Sequence, residues 1–295
     1  MFLLVTGLTN IAMRDNYKNT KLDFLSSKFC KQAVVNMDDK NIQDFILKNN
    51  KKDIDIFSFG LDNPCDVFAV DAEYSFSGTN YFLNLFDEIL EIKTKLIGRF
   101  NVYNALCCAV VCKLLGVGAL TIKRGLNNAC EVDGRFNVID VGNNRAVVID
   151  YAHTPDGLKN ILLAVKQVAK GKVVSVFGCG GNRDTIKRPI MGKISGSIAD
   201  YTIITTDNPR LEQPEKIILQ IEKGVKSVTK NYLCIENRVE AVGYALKMLK
   251  PFDVMVLSGK GAEDYLDIGG VKYPYSDYET VVSQNEKIKK EKVEC

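Results

Sequence analysis

The sequence predicts an α/β protein whose second half is a doubly wound, largely parallel sheet covered by helices on both faces. Three observations carry this. From residue 146 onward, short apolar runs rich in Val and Ile alternate with stretches of helical length, the pattern of buried strands joined by helical crossovers. Each run stops at Gly, Asp, Asn or Pro, residues that end strands and form turns. Polar residues gather at the carboxyl ends of these runs, the edge at which open α/β sheets bind ligands. Right-handed crossovers then give the doubly wound topology.

Length and composition set the frame. A chain of 295 residues accommodates two domains of roughly 100–200 residues each. The net charge of +3 is too small for the basic footprint of a nucleic-acid binder. No apolar run approaches the roughly 20 residues of a membrane span. The start, Met1-Phe2-Leu3-Leu4-Val5-Thr6, has neither the positive region nor the apolar length of a signal peptide. Nine cysteines form an odd set without paired metal-type spacing, which predicts reduced thiols in a cytoplasmic protein. The charged tail from Glu286 to Glu294 reads as a solvated helix end.

In the first part, residues 2–6 read as a short buried strand and 15–31 as a helix that carries Lys21. A strand over 33–36, a helix over 41–47 and a strand over 55–60 follow. Residues 66–74 alternate about every second position, and a Ser75–Asn80 turn leads to strands over 81–85 and 91–96. Gly98-Arg99-Phe100-Asn101-Val102-Tyr103-Asn104 opens a helix to about Leu115 that reads as apolar all round, with Cys107, Cys108 and Cys112 acting as small hydrophobes. Asn101 suits the N-cap. Asn104, three residues on, shares its face. Two carboxamides at a helix start either cap it or read the edge of a nucleobase. A short helix over 121–129 precedes a domain boundary near 132.

In the second part the predicted strands are 146–151, 172–177, 201–205, 232–235 and 253–258, with helices starting near Pro155, Arg188, Gln213 and Arg238. Residues 266–275 read as a hairpin around Gly269-Gly270, and Tyr278 opens a final helix. At the carboxyl ends stand Asp150, Tyr151 and His153, then Gly178 to Asp184, then Asp207, Asn208 and Arg210, then Gly259, Lys260, Gly261, Glu263 and Asp264. Four charged or glycine-rich loops at one edge predict a ligand site. In Asp207-Asn208-Pro209-Arg210 the proline holds Asn208 out of helix and the turn delivers Arg210. That arginine is either an ordinary surface residue or a fork for a carboxylate. Glu263 suits an ammonium, so the loops together suit a zwitterionic amino acid. His153, beside Pro155 at a helix start, suits a contact with a phosphate or a ring.

With these residues in hand the chain resembles the Mur ligase family, and within it the tripeptide synthetases that add meso-diaminopimelate. The motifs are Gly98–Asn104, Asp133-Gly134-Arg135-Phe136, Asp150–Asp156, Phe177–Asp184, Lys187-Arg188-Pro189, Asp207-Asn208-Pro209-Arg210 and Gly259–Tyr265. The resemblance implies an incomplete central ATPase domain (residues 1–132), followed by a Rossmann-like amino-acid-binding domain (133–295). It implies ATP-dependent amide-bond formation through an acyl phosphate. ATP and Mg²⁺ are then the cofactors, and meso-diaminopimelate and a UDP-N-acetylmuramoyl-peptide the substrates. It assigns Asn101, Asn104, Arg135, Asp150 and His153 to the nucleotide. It assigns Arg183, Asn208, Arg210, Gly259 and Glu263 to the incoming amino acid. Lys21 matches a lysine that the family carbamylates to help hold magnesium; a carbamate supplies the oxygen donors that a hard cation prefers. The same lysine also reads as an exposed helix residue.

Three features depart from the family. No Gly-x-x-x-x-Gly-Lys-[Ser/Thr] phosphate loop occurs in the 295 residues. Val5–Ala12 holds no histidine or carboxylate where the family has an Asp-His-Leu-Asp-x-His segment, and Ala262 stands where the family usually has histidine. The expectation is therefore a truncated or split ligase that works with a separate chain carrying the phosphate loop. The rival is a non-catalytic binding protein for diaminopimelate or its peptides.

Overall fold

The structure, a computed structural model, describes residues 2–5, 31–48 and 54–293. Lys21 and its predicted helix lie outside them. The chain divides into two compact units, Met1–Cys130 and Glu131–Cys295.

In the first unit β1 (Phe2–Val5), β2 (Gln32–Asn36), β3 (Asp55–Gly60), β4 (Val67–Ser75), β5 (Gly78–Leu85) and β6 (Glu88–Thr94) form one sheet in sequence order. Strands β1 to β4 run parallel, and β4, β5 and β6 form an antiparallel meander. Loop length dictates the change, because a two-residue connection joins only antiparallel strands. Ser75 pairs with Gly78 and Leu85 with Glu88. Alternation sorts the β2 side chains. Ala33 and Val35 pack with Ile42 of helix α1 (Lys40–Lys48). Val34 turns to the other face, where Phe59, Tyr81, Leu83 and Ile92 meet Val102, Leu106 and Val110 of helix α2 (Arg99–Leu114). Helix α3 (Ala119–Asn127) adds Ala119 and Ile122 to this core.

Two details of α2 differ from the sequence reading. The N-cap is Gly98, at φ 96°, with no side-chain cap. Asn101 lies inside the first turn, where its Nδ2 donates to the Ile97 carbonyl (2.9 Å). The helix is also not apolar all round. Cys107 is buried, but Cys108 is exposed and Cys112 half-buried.

Asp38 ties the carboxyl edge of this sheet together. Its carboxylate accepts from the backbone of Leu61 (2.5 Å), Asp62 (3.1 Å) and Asn63 (2.9 Å) and from the Tyr103 hydroxyl (2.8 Å). Burial pushes this carboxyl up, but the hydrogen bonds from Leu61, Asn63, Tyr103 and Asp62 outweigh it and hold the group below its ordinary 3.8. A depressed carboxyl contributes stability that is full above the unfolded value and is lost as pH falls through the folded one. Asp38→Asn is therefore expected to cost about 1–3 kcal/mol at neutral pH. Its melting temperature should also fall less steeply than wild type's as pH drops below 3.8. Thermal melts across that range check both; parallel curves would remove Asp38 from the account.

In the second unit β7 (Asn137–Gly142), β8 (Arg145–Asp150), β9 (Val173–Phe177), β10 (Tyr201–Ile204), β11 (Tyr232–Cys234) and β12 (Val254–Ser258) form a sheet ordered β11-β10-β9-β12-β8-β7. Five strands are parallel, and β7 pairs antiparallel with β8 at the edge. Strands β9 and β12 are buried throughout, as continuous apolar runs in a sheet covered on both sides must be. On one face Val147, Ile149, Val176 and Leu257 pack with Val242 and Leu246 of α7 (Arg238–Met248) and Val281 and Ile288 of α8 (Asp277–Val293). Helix α4 (Pro155–Val168) contacts β9 and β12, and α5 (Lys187–Ile198) and α6 (Pro214–Lys226) contact β10. The α4 start follows its sequence: Thr154 caps through the Gly157 amide (3.1 Å) and Pro155 takes the first turn. A hairpin of β13 (Tyr265–Ile268) and β14 (Val271–Pro274) stands apart from the sheet.

Candidate functional site

The loops after β8, β9, β10 and β12 build a polar cluster at the carboxyl edge of the second sheet. Its centre is the Asp207–Arg210 turn. Asn208 is 4% exposed. Its Oδ1 accepts from Lys260 Nζ (2.9 Å) and the Asp267 amide (2.9 Å), while Nδ2 donates to Glu263 Oε2 (2.9 Å). Donors on one side and a carboxylate on the other fix which way the amide points. Lys260 is fully buried. It also reaches Glu263 Oε2 at 3.2 Å and Asp207 Oδ1 at 3.6 Å, and lies over the rings of Tyr265 and Tyr275. Gly259 adopts φ 117°, and a Cβ there would stand 2.8 Å from Asp207 Oδ2. The position therefore suits glycine on two counts.

Arg210 has a left-handed φ of 52° and is held by the β13–β14 hairpin. Its amide donates to the Asp267 carbonyl (2.9 Å) and its carbonyl accepts from Gly269 (2.7 Å). The guanidinium donates from Nη1 to the Gly181 carbonyl (2.6 Å), with Nε 3.8 Å from Asp267 Oδ2. Asp267 Oδ1 is buried without a hydrogen-bond partner. Arg183 is exposed, and its Cγ and Arg210 Nη1 both flank Gly180. Two cations thus border one glycine loop. That loop is clamped from below by Arg188, fully buried, which donates to the Gly180 carbonyl (3.1 Å) and to both oxygens of Glu212 (2.8 and 3.0 Å). A Cβ on Gly181 would run into the Pro209 carbonyl, so a glycine is what lets the two loops touch.

A second group lies on the β8 loop. Asp150 is 7% exposed. It accepts from the amides of Phe136 (2.9 Å) and Ala152 (2.8 Å). Burial pushes its carboxyl up, only partly offset by those amides and by the charge of Arg135. Asp150 is thus the clasp that carries Arg135. The Tyr151 ring has the Arg135 guanidinium over it (4.8 Å to the ring centre) and meets the His153 ring in a T-shaped contact (4.8 Å between ring centres). His153 Nδ1 sits 3.0 Å from the Tyr151 carbonyl. A carbonyl only accepts, so Nδ1 carries the proton of this bond. Burial and the neighbouring Glu263 push the Tyr151 phenol up, which links this group to the Asn208 cluster. Cys179, inside the glycine loop, is buried and its thiol is pushed up to about 12 by desolvation, so it stays a thiol rather than a nucleophile.

Of the residues singled out from sequence, Asn208, Arg210, Gly259 and Glu263 meet, with Arg183 beside them. Arg135, Asp150 and His153 form the adjoining group. Asn101 and Asn104 belong to the first unit, where Asn104 Nδ2 donates to Asn101 Oδ1 (3.3 Å). The sequence placed Tyr151 and Lys260 at the ligand edge without a role of their own, and gave Asp267 and Arg188 none. A lysine between two glycines reads as a turn, and its burial is set by loops distant in the chain. Among the described residues no three His, Cys, Asp or Glu side chains gather as a metal site, and no glycine-lysine phosphate loop is present. The described set thus offers charged and hydrogen-bonding side chains and a tyrosine ring, without a carboxylate cluster of the kind that holds magnesium.

The sheet order and this edge describe an open α/β domain with polar loops gathered at its carboxyl, ligand-binding side. The chain matches the Mur ligase middle domain over residues 7–112 and the Mur ligase glutamate ligase domain over residues 134–261. It belongs to the Mur ligase family. It is 38% identical over 269 residues to the UDP-N-acetylmuramoyl-L-alanyl-D-glutamate–2,6-diaminopimelate ligase of Alkaliphilus oremlandii, covering 91% of this chain and 55% of that one. It is 39% identical over 285 residues to the enzyme of the same name from Caldanaerobacter subterraneus subsp. tengcongensis, covering 92% and 58%. A solved structure of a ligase with that name superposes with a TM-score of 0.59 at 29% identity, over 97% of this chain and 60% of the other. The chain thus spans a little over half the length of the curated relatives it matches. Among the described residues no helix is long and apolar enough to cross a membrane.

Proposed function

We propose that this chain supplies the amino-acid-adding part of a meso-diaminopimelate ligase of peptidoglycan synthesis, acting in the cytoplasm on a UDP-N-acetylmuramoyl-dipeptide. The observation that carries the reading is charge placement. Arg210 and the stem of Arg183 flank Gly180, and the Asn208 side chain of the neighbouring turn is bonded to the Glu263 carboxylate. Paired cations suit a carboxylate and a carboxylate–carboxamide pair suits an ammonium. The far end of meso-diaminopimelate presents that combination, and lysine lacks its carboxylate. The names of the relatives support the same substrate.

In this reading Arg183, Asn208, Arg210, Gly259 and Glu263 hold the incoming amino acid, so that its other amino group reaches the activated carboxyl. Arg135, Asp150 and His153 serve the nucleotide with Asn101 and Asn104. Tyr151, in contact with both Arg135 and His153, joins this nucleotide-side group. Residues 1–132 form the nucleotide-side domain and 133–295 the amino-acid-side domain. ATP supplies the activation, and Lys21 is the candidate carbamate that would help hold Mg²⁺. The phosphate loop is assigned to residues outside these 295, in the same polypeptide or a second one.

The test is calorimetric titration of the purified chain with meso-diaminopimelate and, in parallel, lysine. Selective binding of meso-diaminopimelate is expected. Equal affinity for the two, or no binding by a folded chain, would refute the pocket assignment. Selective binding that never yields ligation, even with a phosphate-loop-bearing partner added, would favour the non-catalytic binding protein.

A further inference from the structure

We propose that Lys260 is a positioning residue of the amino-acid pocket, one whose buried ammonium sets the orientation of Asn208 and Glu263. The inference rests on the pocket reading above and goes one layer beneath it. Lysine is rarely buried without partners, because an unpaired internal charge is costly. Here the ammonium is fully buried and its surroundings are acidic and aromatic. Asn208 Oδ1 lies at 2.9 Å, Glu263 Oε2 at 3.2 Å and Asp207 Oδ1 at 3.6 Å, with the Tyr265 and Tyr275 rings at 5.5 and 5.9 Å. The ammonium thus donates to two oxygens, with the Asp207 carboxylate at ion-pair distance.

Two consequences follow from this geometry. The first concerns the amide. Asn208 Oδ1 faces Lys260 and Nδ2 faces Glu263, so Lys260 and Glu263 together hold the carboxamide plane. The second concerns charge. Asp207 and Glu263 each form their only ion pair among the described residues with Lys260. One ammonium thus serves two carboxylates, which leaves carboxylate oxygen for a ligand ammonium to meet. Without Lys260 two carboxylates share a largely buried site. A purely electrostatic view then predicts tighter binding of any amine. Positioning predicts weaker binding, because the oxygens that receive the ammonium lose their fixed place. The two views differ in sign, which makes the role testable.

The experiment compares wild type, Lys260→Met and, as control, Lys247→Met, a surface lysine paired with Glu291. The first readout needs no ligand: hydrogen exchange of the Asn208 side-chain amide, followed by NMR. Lys260→Met is expected to speed it by at least about tenfold, with Lys247→Met unchanged. An amide as slow in Lys260→Met as in wild type overturns the proposal. Should Lys260→Met fail to fold, Lys260→Met/Asp207→Asn removes a stranded carboxylate with the ammonium while keeping the Glu263 acceptor of the amide, and the same amide, expected to exchange at least about tenfold faster than in Asp207→Asn alone, is read there. The second readout is meso-diaminopimelate affinity, expected to fall at least about tenfold in Lys260→Met; equal or tighter binding overturns the proposal. If wild type itself binds no meso-diaminopimelate, the pocket reading fails, while the Asn208 exchange still decides whether Lys260 positions that amide.

Discussion

Arg210→Ala is expected to abolish the preference for meso-diaminopimelate over lysine. Before any ligand arrives the Arg210 main chain is bonded to the β13–β14 hairpin through its amide and carbonyl, and the guanidinium is held by the Gly181 carbonyl and the Asp267 carboxylate. Side-chain freedom is therefore already spent, and a carboxylate that docks there gains a charge-assisted bond at little entropic cost. Truncating one side of a hydrogen-bonded charge pair costs about 2 kcal/mol or more even at a partly exposed arginine such as this, and each 1.4 kcal/mol is about tenfold in affinity. Affinity for meso-diaminopimelate should thus fall by about thirtyfold or more. That for lysine, which brings no second carboxylate, should change little. Arg210→Lys is expected to restore only part of the preference, since an ammonium offers a point charge where the fork offers planar donors. Titration of both amino acids against the three proteins checks this, and an unchanged ratio in Arg210→Ala would remove the arginine from the pocket.

The same residue shows what the sequence made legible. Its place followed from local rules: an apolar run, an Asp-Asn-Pro turn, and the ligand-binding edge of an α/β sheet. Its conformation did not follow. A left-handed φ of 52° at a non-glycine residue is imposed by the hairpin, which comes some 60 residues later in the chain. The parallel strands of the second unit were readable because continuous Val and Ile runs have one common use. Strand β7 was passed over although its signal was present. Asn143 and Asn144 both adopt left-handed φ (55° and 56°) in the two-residue turn to β8, a turn that favours asparagine. At α2 the rule of a capping carboxamide pointed to Asn101. The chain instead bends at Gly98, whose φ of 96° suits glycine, and this moves Asn101 into the helix. The deepest miss is Lys260. Composition marks a lysine as surface, and only the convergence of the 207 and 263 loops makes a buried one tolerable.

Asp277→Ala is expected to be the most destabilising of the substitutions considered, and it separates folding from pocket assembly. Arg238 and Asp277 are both buried and form a two-pronged pair, Nε to Oδ1 and Nη2 to Oδ2, each 2.8 Å. The Tyr275 hydroxyl donates to the same carboxylate (2.8 Å). Removing the carboxylate strands a guanidinium that cannot lose its proton, at a cost of about 3–5 kcal/mol. For a domain of this size about 2–4 °C of melting temperature goes with each kcal/mol, so the transition should drop by about 6–20 °C. The pair is more than ballast, because Arg238 also donates to the Ser258 carbonyl (3.1 Å) and the Thr206 carbonyl (3.4 Å). Those carbonyls open the two loops that carry Lys260 and Asn208. An apolar replacement of both partners, Arg238→Met/Asp277→Leu, takes away the stranded charge and should recover much of the lost stability. It cannot recover the two carbonyl contacts. The double variant is therefore expected to melt near wild type yet bind meso-diaminopimelate more weakly, as scanning calorimetry and titration of the same samples would show. Recovery of both together would mean that the pair holds up the fold and leaves the pocket loops to place themselves.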